Sequence, residues 1–498
     1  MKWENYNWAD PELFIMADKS LVEENEGGEF KICQMEKSAE PVMDHKKPWE
    51  GDGLQQDPIT GSILRNREDG LFHLWYNSHN RLIRETSADK ASQICRAVSS
   101  DGMKWEKPAL GIIPYEGDLK TNMIRITDKH MRNTDSFSVL PNMTRETFDT
   151  DLIASAYSTY DDPLYTQGIT VLSSNDGNKW KSCFPPVLPM DGDAHCLSYD
   201  PGRKVYICTS RSYAYNHIIR HLNAIKKTPD LKVKRHIAIA QSRDLINWTP
   251  MLPVLEVDKE DPLNAEMYRM YVIPYGHAYA GLLQMFYIGR NMCFGPLDIQ
   301  LAVSRDLLKW NRVSRLPILP LGKDGEWDCS HITPTCNNPW PETDSMRFWY
   351  GGKNTEHWQA GKCAMGTATL RKDGFACWDT TGGKAVLTTV AFHMPWATQL
   401  FLNYSAPHGE VRVEILNPEN NMPLPDYTKE KCQPLTGDNI RGMVSFASER
   451  GNFLRNNYPE THGKVKFRFH LNNARLYAFH AANVKLDETY RPAGNAWL

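Results

Sequence analysis

The sequence predicts an all-β fold: a five-bladed β-propeller followed by a C-terminal β-sandwich. Three observations predict it. One strand–turn–Trp signature recurs five times up to residue 378. A second apolar strand with aromatic endings precedes each copy. Beyond residue 384 the signature stops, while alternating strands continue.

The five signatures read AVSSDGMKW, VLSSNDGNKW, IAQSRDLINW, LAVSRDLLKW and ATLRKDGFACW, ending at Trp105, Trp180, Trp248, Trp310 and Trp378. Their spacings of 75, 68, 62 and 68 residues suit a four-stranded blade with long loops. Alternation makes a half-buried strand, the Asp with Gly or Leu-Ile makes a tight turn, and the Trp opens an outer strand that packs between blades. The preceding strands are expected at 71–77, 152–158, 204–210, 281–289 and 346–352. Such hairpins are marginal alone in water, so the repeats must stack and close into a ring. Helical periodicity is weak, with one local candidate at 216–227. The C-terminal strands are expected at 400–406, 409–417, 443–448, 464–471 and 474–481. The resulting division is a propeller over 1–384, with 1–43 packing on it, and a β-sandwich over 385–498.

The 498 residues exceed the roughly 250–300 at which a single core stops growing, which also favours two units. Net charge is −3 with Lys and Arg scattered, so nucleic acid is excluded as a partner. No apolar run approaches the ~20 residues of a membrane span, so no membrane partner is expected. The first residues lack an apolar signal core, which leads to a cytoplasmic expectation. Eleven cysteines, several within apolar strands (Cys95, Cys208, Cys363), favour buried reduced thiols. No spacing suits zinc, and no metal ligand is assigned.

The inner strands of a propeller line a central funnel, and their ends carry the chemistry. Each repeat offers one acid near that point: Asp57, Asp135, Asp193, Glu266 and Asp328. Glycosidic bond hydrolysis needs two carboxyl groups across the scissile bond, one protonating the leaving oxygen, the other attacking or activating water. A strand-cap or turn role is the competing reading for each Asp. Histidines stand beside these acids: His195, His277 and His331. They suit sugar hydroxyls, a lyase base, or phosphate held with Arg132 or Arg211. Trp327, Tyr275 and Trp358 suit sugar stacking, whereas Trp75 suits burial between blades. Lys353, Asn354 and His357, in KNTEHW, suit ligand contacts at the funnel mouth, with a solvated turn as the competing reading.

Several segments resemble the five-bladed propeller glycoside hydrolases of families 32, 43, 62, 68, 117 and 130, and especially bacterial family-32-like proteins with a C-terminal β-sandwich. They are PELFIMADKSLVEENEGG, KPWEGD, DGDAHCLSYDPGRKVYICTSR, DIQLAVSRDLLKW, GEWDCSHITP, RFWYGGKN, GTATLRKDGF and GEVRVEILN with ARLYAF. The WMNDPNG-like and ECP-like segments typical of family 32 are absent. The resemblance implies an exo-acting glycoside hydrolase on a plant or microbial oligosaccharide or polysaccharide. The alternatives are a phosphorylase or lyase on the same scaffold, or a non-catalytic carbohydrate-binding protein. It implies Asp57 as base or nucleophile, Asp135 as a tuning or sugar-binding residue, and a later acid, Glu266 or the competing Asp193. Substrate contacts are then expected from Asp135, His195, His277, Trp327, Asp328, His331, Asn354 and His357. No cofactor is required by this chemistry. A structural Ca²⁺ in the central channel is compatible with the resemblance, and the sequence leaves both a monomer and an oligomer open.

Overall fold

A computed structural model describes residues 2–487, except 56–57, 80–91, 129, 189–191, 213–233, 290–292, 395–396, 448–453 and 456. The expected helix at 216–227 lies outside the described residues. Among those described, the chain is almost all β, with only short 3₁₀ turns between strands.

Five mainly antiparallel strand groups, sheets one to five, follow in chain order; the fourth and fifth are joined by one parallel pair, Leu297 with His331. Their inner strands are Gly61–Asn66, Met131–Pro141, His195–Asp200, Ala265–Gly276 and His331–Pro334. The expected aromatic strands are the second of each sheet: Phe72–His79, Leu152–Tyr160, Val205–Ser212, Ala278–Tyr287 and Ser345–Lys353. Polar contacts carry each sheet to the next. The Val139 N–H donates to Ser62 Oγ at 2.8 Å and the Leu197 N–H to Ser138 Oγ at 3.1 Å. Thr209 Oγ1 donates to the Met270 carbonyl, and Gln284 Nε2 to the Ile332 carbonyl at 2.6 Å. The Cys336 N–H then returns to the Gly61 carbonyl at 2.7 Å. These contacts close the five sheets into a ring.

The recurring signature has one local geometry in the first four sheets. The Ser Oγ accepts the N–H three residues on, from Gly102, Gly177, Leu245 and Leu307, at 2.8–3.0 Å. The Asp carboxylate accepts two further N–H groups, as Asp306 does from Leu308 and Lys309. This side-chain capping forces the intervening residue into the left-handed region, with φ of 72° at Gly102 and 69° at Leu307. The Trp then donates back to that residue's carbonyl, Trp310 to Leu307 at 3.0 Å. Trp75 is fully buried between sheets one and two, donating to the Gly177 carbonyl at 2.6 Å.

The fifth signature departs from this geometry. Asp373 itself takes φ 58°, and its carboxylate accepts from the Tyr275 hydroxyl at 2.6 Å. The chain then leaves the ring, and Trp378 lies in Ala376–Asp379, paired with Leu476 and Phe30 of the C-terminal sheet. The outer edge of sheet five comes instead from the N-terminus. Glu36–Lys37, Met43–Asp44 and Leu54–Gln55 all pair with Gly361–Arg371.

The expected C-terminal β-sandwich takes the form of one eleven-stranded sheet curled into a half-barrel. Leu400–Leu416 runs as a single 17-residue strand through the two strands expected at 400–406 and 409–417, its ladder shifting between Ala406 and Val411. The next strand is Leu435–Met443, upstream of the expected 443–448. Leu13–Ile15, Val22–Glu26 and Glu29–Ile32 pair into this sheet, so the N-terminal segment serves both units. Phe14, Phe392, Phe467 and Phe479 fill its core. Cys95, Cys208 and Cys363 are buried, as their apolar strands require.

Candidate functional site

Glu266 and Tyr268 lie at the start of the fourth inner strand, Tyr268 being the extra residue of a bulge between the Met267 and Arg269 pairs. Two guanidiniums from adjacent strands of the neighbouring sheet lie over the Tyr268 ring: Arg211 at 4.8 Å and Arg235 at 5.8 Å from its centre. Arg211 Nη2 meets Asp193 Oδ1 at 2.5 Å, and Arg235 Nη1 donates to Glu266 Oε2 at 2.6 Å. Asp193, entering the third inner strand, and Glu266, in the fourth, are thereby drawn to one cluster. Asp193 keeps 40% of its side-chain exposure, whereas Glu266 keeps 6%. One acid is accessible and the other is set into the wall.

The register shift between Met267 and Arg269 turns Arg269 toward the second sheet. Its Nη2 donates to Ser136 Oγ at 2.9 Å, and Ser136 donates to the Asp193 carbonyl. Ser136 takes φ 50° inside the ladder irregularity between Asp135 and Ser138. Three successive inner strands therefore meet at these side chains. Asp135 is half-buried beside Ser136, opposite Tyr157.

His357 reaches the cluster from the loop after the second strand of sheet five. Its Nε2 lies 3.0 Å from the Tyr268 hydroxyl, and its Nδ1 lies 2.8 Å from the Cys293 carbonyl. The His331 ring stands 5.6 Å from that of His357, and its Nε2 lies 3.3 Å from Gln284 Nε2. Burial pushes the His331 imidazole well below its ordinary pKa, with Lys353, His357 and Arg269 adding to the shift. His195 is fully buried, its Nε2 2.9 Å from Ser155 Oγ, and burial followed by the Arg269 charge pushes it down to about 3. Both imidazoles are neutral at pH 7.

Other residues proposed from the sequence lie apart from this cluster. His277 bridges Asp18 Oδ2 at 3.0 Å and the Leu13 carbonyl at 3.2 Å, next to the N-terminal strands. Asp328 is buried, accepting from Lys37 Nζ at 2.7 Å and the Tyr350 hydroxyl at 2.8 Å. Trp327 stacks on Tyr350 with centroids 5.5 Å apart and covers Gly352 and Gly366. Asn354 is exposed, and its Oδ1 accepts the Lys362 N–H, shaping a hairpin. Tyr275 is buried against Trp8, while Trp358 is exposed. Asp57 and the Arg132 side chain lie outside the described residues.

Arg235, Tyr268, Arg269 and Ser136 were not singled out from the sequence. NAEMYRMY holds two of them, Tyr268 and Arg269, but the bulge that sets their directions has no mark in the sequence. Glu50 was also missed. It is fully buried, accepting from the Tyr76 hydroxyl, from Lys107 Nζ at 2.7 Å and from the Lys47 N–H at 3.0 Å.

A Ca²⁺ would need about six to eight oxygen ligands, and the two carboxylates of the cluster, Asp193 and Glu266, are each engaged by a guanidinium, Arg211 and Arg235. Among the described residues one triad, Asp10, Glu12 and His480, has donor atoms within 4.8 Å of one another. It joins the N-terminal segment to the C-terminal sheet. No helix among the described residues is long and apolar enough to cross a membrane.

No family model matches the chain, and no curated protein matches it. Among solved structures it is similar to an N-acetylgalactosamine deacetylase from F. plautii in complex with blood group B trisaccharide, at 14% identity and TM-score 0.44 over 68% of this chain and 95% of that one. It is similar to a β-1,2-mannobiose phosphorylase from Listeria innocua, at 11% identity and TM-score 0.45 over 68% and 96%. It is also similar to a family 32 β-fructofuranosidase from Bombyx mori, at 13% identity and TM-score 0.38 over 89% and 93%. These likenesses are distant, and the fold stands on the ladders and ring contacts above.

Proposed function

We propose that the chain is a carbohydrate-active enzyme that hydrolyses a glycosidic bond, acting from the end of a plant or microbial glycan. The observation that carries this reading is that the guanidiniums paired with Asp193 and Glu266 both lie over the Tyr268 ring. In the reaction water adds to the anomeric carbon, the glycosidic C–O bond breaks, and the leaving oxygen takes a proton from a carboxyl group. Asp193 is the accessible candidate for direct contact with the sugar. Arg235 fixes Glu266 in the wall, and Asp135 lies beside Ser136 for hydroxyl contacts. Asp57 is proposed as a further acid from its place before the first inner strand. The test is turnover of aryl glycosides and oligosaccharides by Asp193→Asn and Glu266→Gln. A loss of at least about 10³-fold in kcat for one of them supports the reading, in line with the weight of one catalytic group. Wild-type turnover by both overturns it.

Phosphorolysis is the second reading. Arg211, Arg235 and Arg269 crowd these acids, and such a cluster suits attack by phosphate in place of water. A sugar phosphate product formed only with inorganic phosphate distinguishes it.

A further inference from the structure

Arg269 differs from the two arginines beside it. Arg211 and Arg235 each hold a carboxylate. Arg269 is in ion-pair contact with no carboxylate among the described residues, yet only 7% of it is exposed. Its Nη2 is used by Ser136 Oγ, and its Nε has no hydrogen-bond partner among the described residues. His331 Nδ1 and His195 Nδ1 are also buried without a partner among those residues. Both imidazoles feel the Arg269 charge. Burying an unpaired charge is costly, and buried donors in native proteins are nearly always satisfied. A planar fork of N–H donors fits the two-oxygen edge of a carboxylate or phosphate, and a neutral imidazole accommodates it on either side.

We propose that Arg269 is an oxyanion subsite of the funnel, taking a carboxylate or phosphate group that the substrate or co-substrate carries in. The occupant's role rests on the glycan-processing reading above, while binding is measured without turnover. Ser136 Oγ holds the guanidinium from the second sheet, and Asp193, next to it in the same network, faces the sugar that bears or meets the anion. An acidic sugar and inorganic phosphate share this chemistry, and the two are separated by the probe.

The test uses the full chain in chloride-free buffer, with titration calorimetry and thermal unfolding. The probes are sodium phosphate, D-galacturonate and uncharged D-galactose. At least one oxyanion is expected to bind and raise the unfolding midpoint more than galactose does. Arg269→Met is expected to weaken that oxyanion at least tenfold, and Arg269→Lys to fall between. Without ligand, Arg269→Met is expected to unfold no earlier than wild type, because its loss strands no carboxylate. A response to phosphate alone supports a phosphate co-substrate, and a response to galacturonate alone supports an acidic sugar. No response to either, or equal affinity in Arg269→Met, overturns the subsite. Neutral-glycan turnover without anion binding overturns the subsite and leaves the enzyme reading standing. Anion binding without turnover of any glycan does the reverse.

Discussion

Arg235 donates to Glu266 Oε2 at 2.6 Å, and the two side chains are 7% and 6% exposed. A buried ion pair adds little net stability, but breaking it from one side strands a charge at a cost of about 3–5 kcal/mol. Arg235→Met is therefore expected to lower the urea midpoint sharply with m unchanged. The double variant Arg235→Met/Glu266→Leu should recover most of that loss, because neither charge remains. Equal midpoints for Arg235→Met and wild type would show that water reaches Glu266 and that the acid is not set in the wall.

A second pair separates ring closure from chemistry. Lys37 Nζ lies 2.7 Å from Asp328 Oδ2, joining the N-terminal edge strand to the entry of sheet five. The Asp328 side chain is 3% exposed and that of Lys37 18%. Lys37→Met is expected to cost about 3 kcal/mol in urea unfolding. Activity per folded molecule should stay at wild-type level, since Asp328 serves the closure. A specific loss of kcat in the folded variant would return Asp328 to the substrate site.

The fold was legible because the signature is local. Ser, Asp and the residue after Asp fix one turn through three or four backbone hydrogen bonds, whatever lies elsewhere in the chain. The partner of the fifth sheet was not legible. Glu36–Lys37 pairs with Ala368 and Thr369, more than 300 positions away in the chain, and nothing in its two residues specifies that edge. The same holds at the site. Glu266, Asp193 and Arg211 are visible as charged groups at strand ends, but Arg235 reads as an ordinary strand-end cation until Tyr268 brings it beside Arg211. Asp328 and His277 stood at plausible positions by spacing, and each was claimed by an N-terminal side chain, Lys37 or Asp18, whose approach no spacing reveals.

Leu307 occupies a left-handed position that Gly102 and Gly177 fill in sheets one and two, and its side chain is fully buried. Leu307→Gly removes backbone strain of about 1–3 kcal/mol and loses a buried leucine worth about 2–5 kcal/mol. The burial term is the larger, so the variant is expected to be destabilised by about 1–2 kcal/mol in urea unfolding. A stabilised variant would show that strain outweighs packing in this turn.

Part of the acid sensitivity follows from three buried groups. His195, pushed down to about 3, and His331, pushed well below its ordinary value, stay neutral in the folded chain and take up a proton on unfolding below pH 6.5. Each adds stability that is present above pH 6.5 and is lost as pH falls toward its folded pKa. Asp298 works the other way. Burial pushes it up to about 7, so between pH 3.8 and 7 it is protonated when folded and ionised when unfolded. Its contribution is present below pH 3.8 and is lost as pH rises through 7. From pH 6 to 4.5 the two histidines outweigh the one aspartate by a single proton. These three groups together then lower stability by about 1.4 kcal/mol per pH unit of acidification. His195→Asn should flatten that slope by about one proton, and Asp298→Asn should steepen it by the same amount. Urea unfolding across pH 4.5–6, with proton uptake measured in buffers of different ionisation enthalpy, reads both changes. An unchanged slope in His195→Asn would mean that this imidazole is already protonated in the folded chain, and that the positive charge of Arg269 is balanced by an anion close enough to permit it.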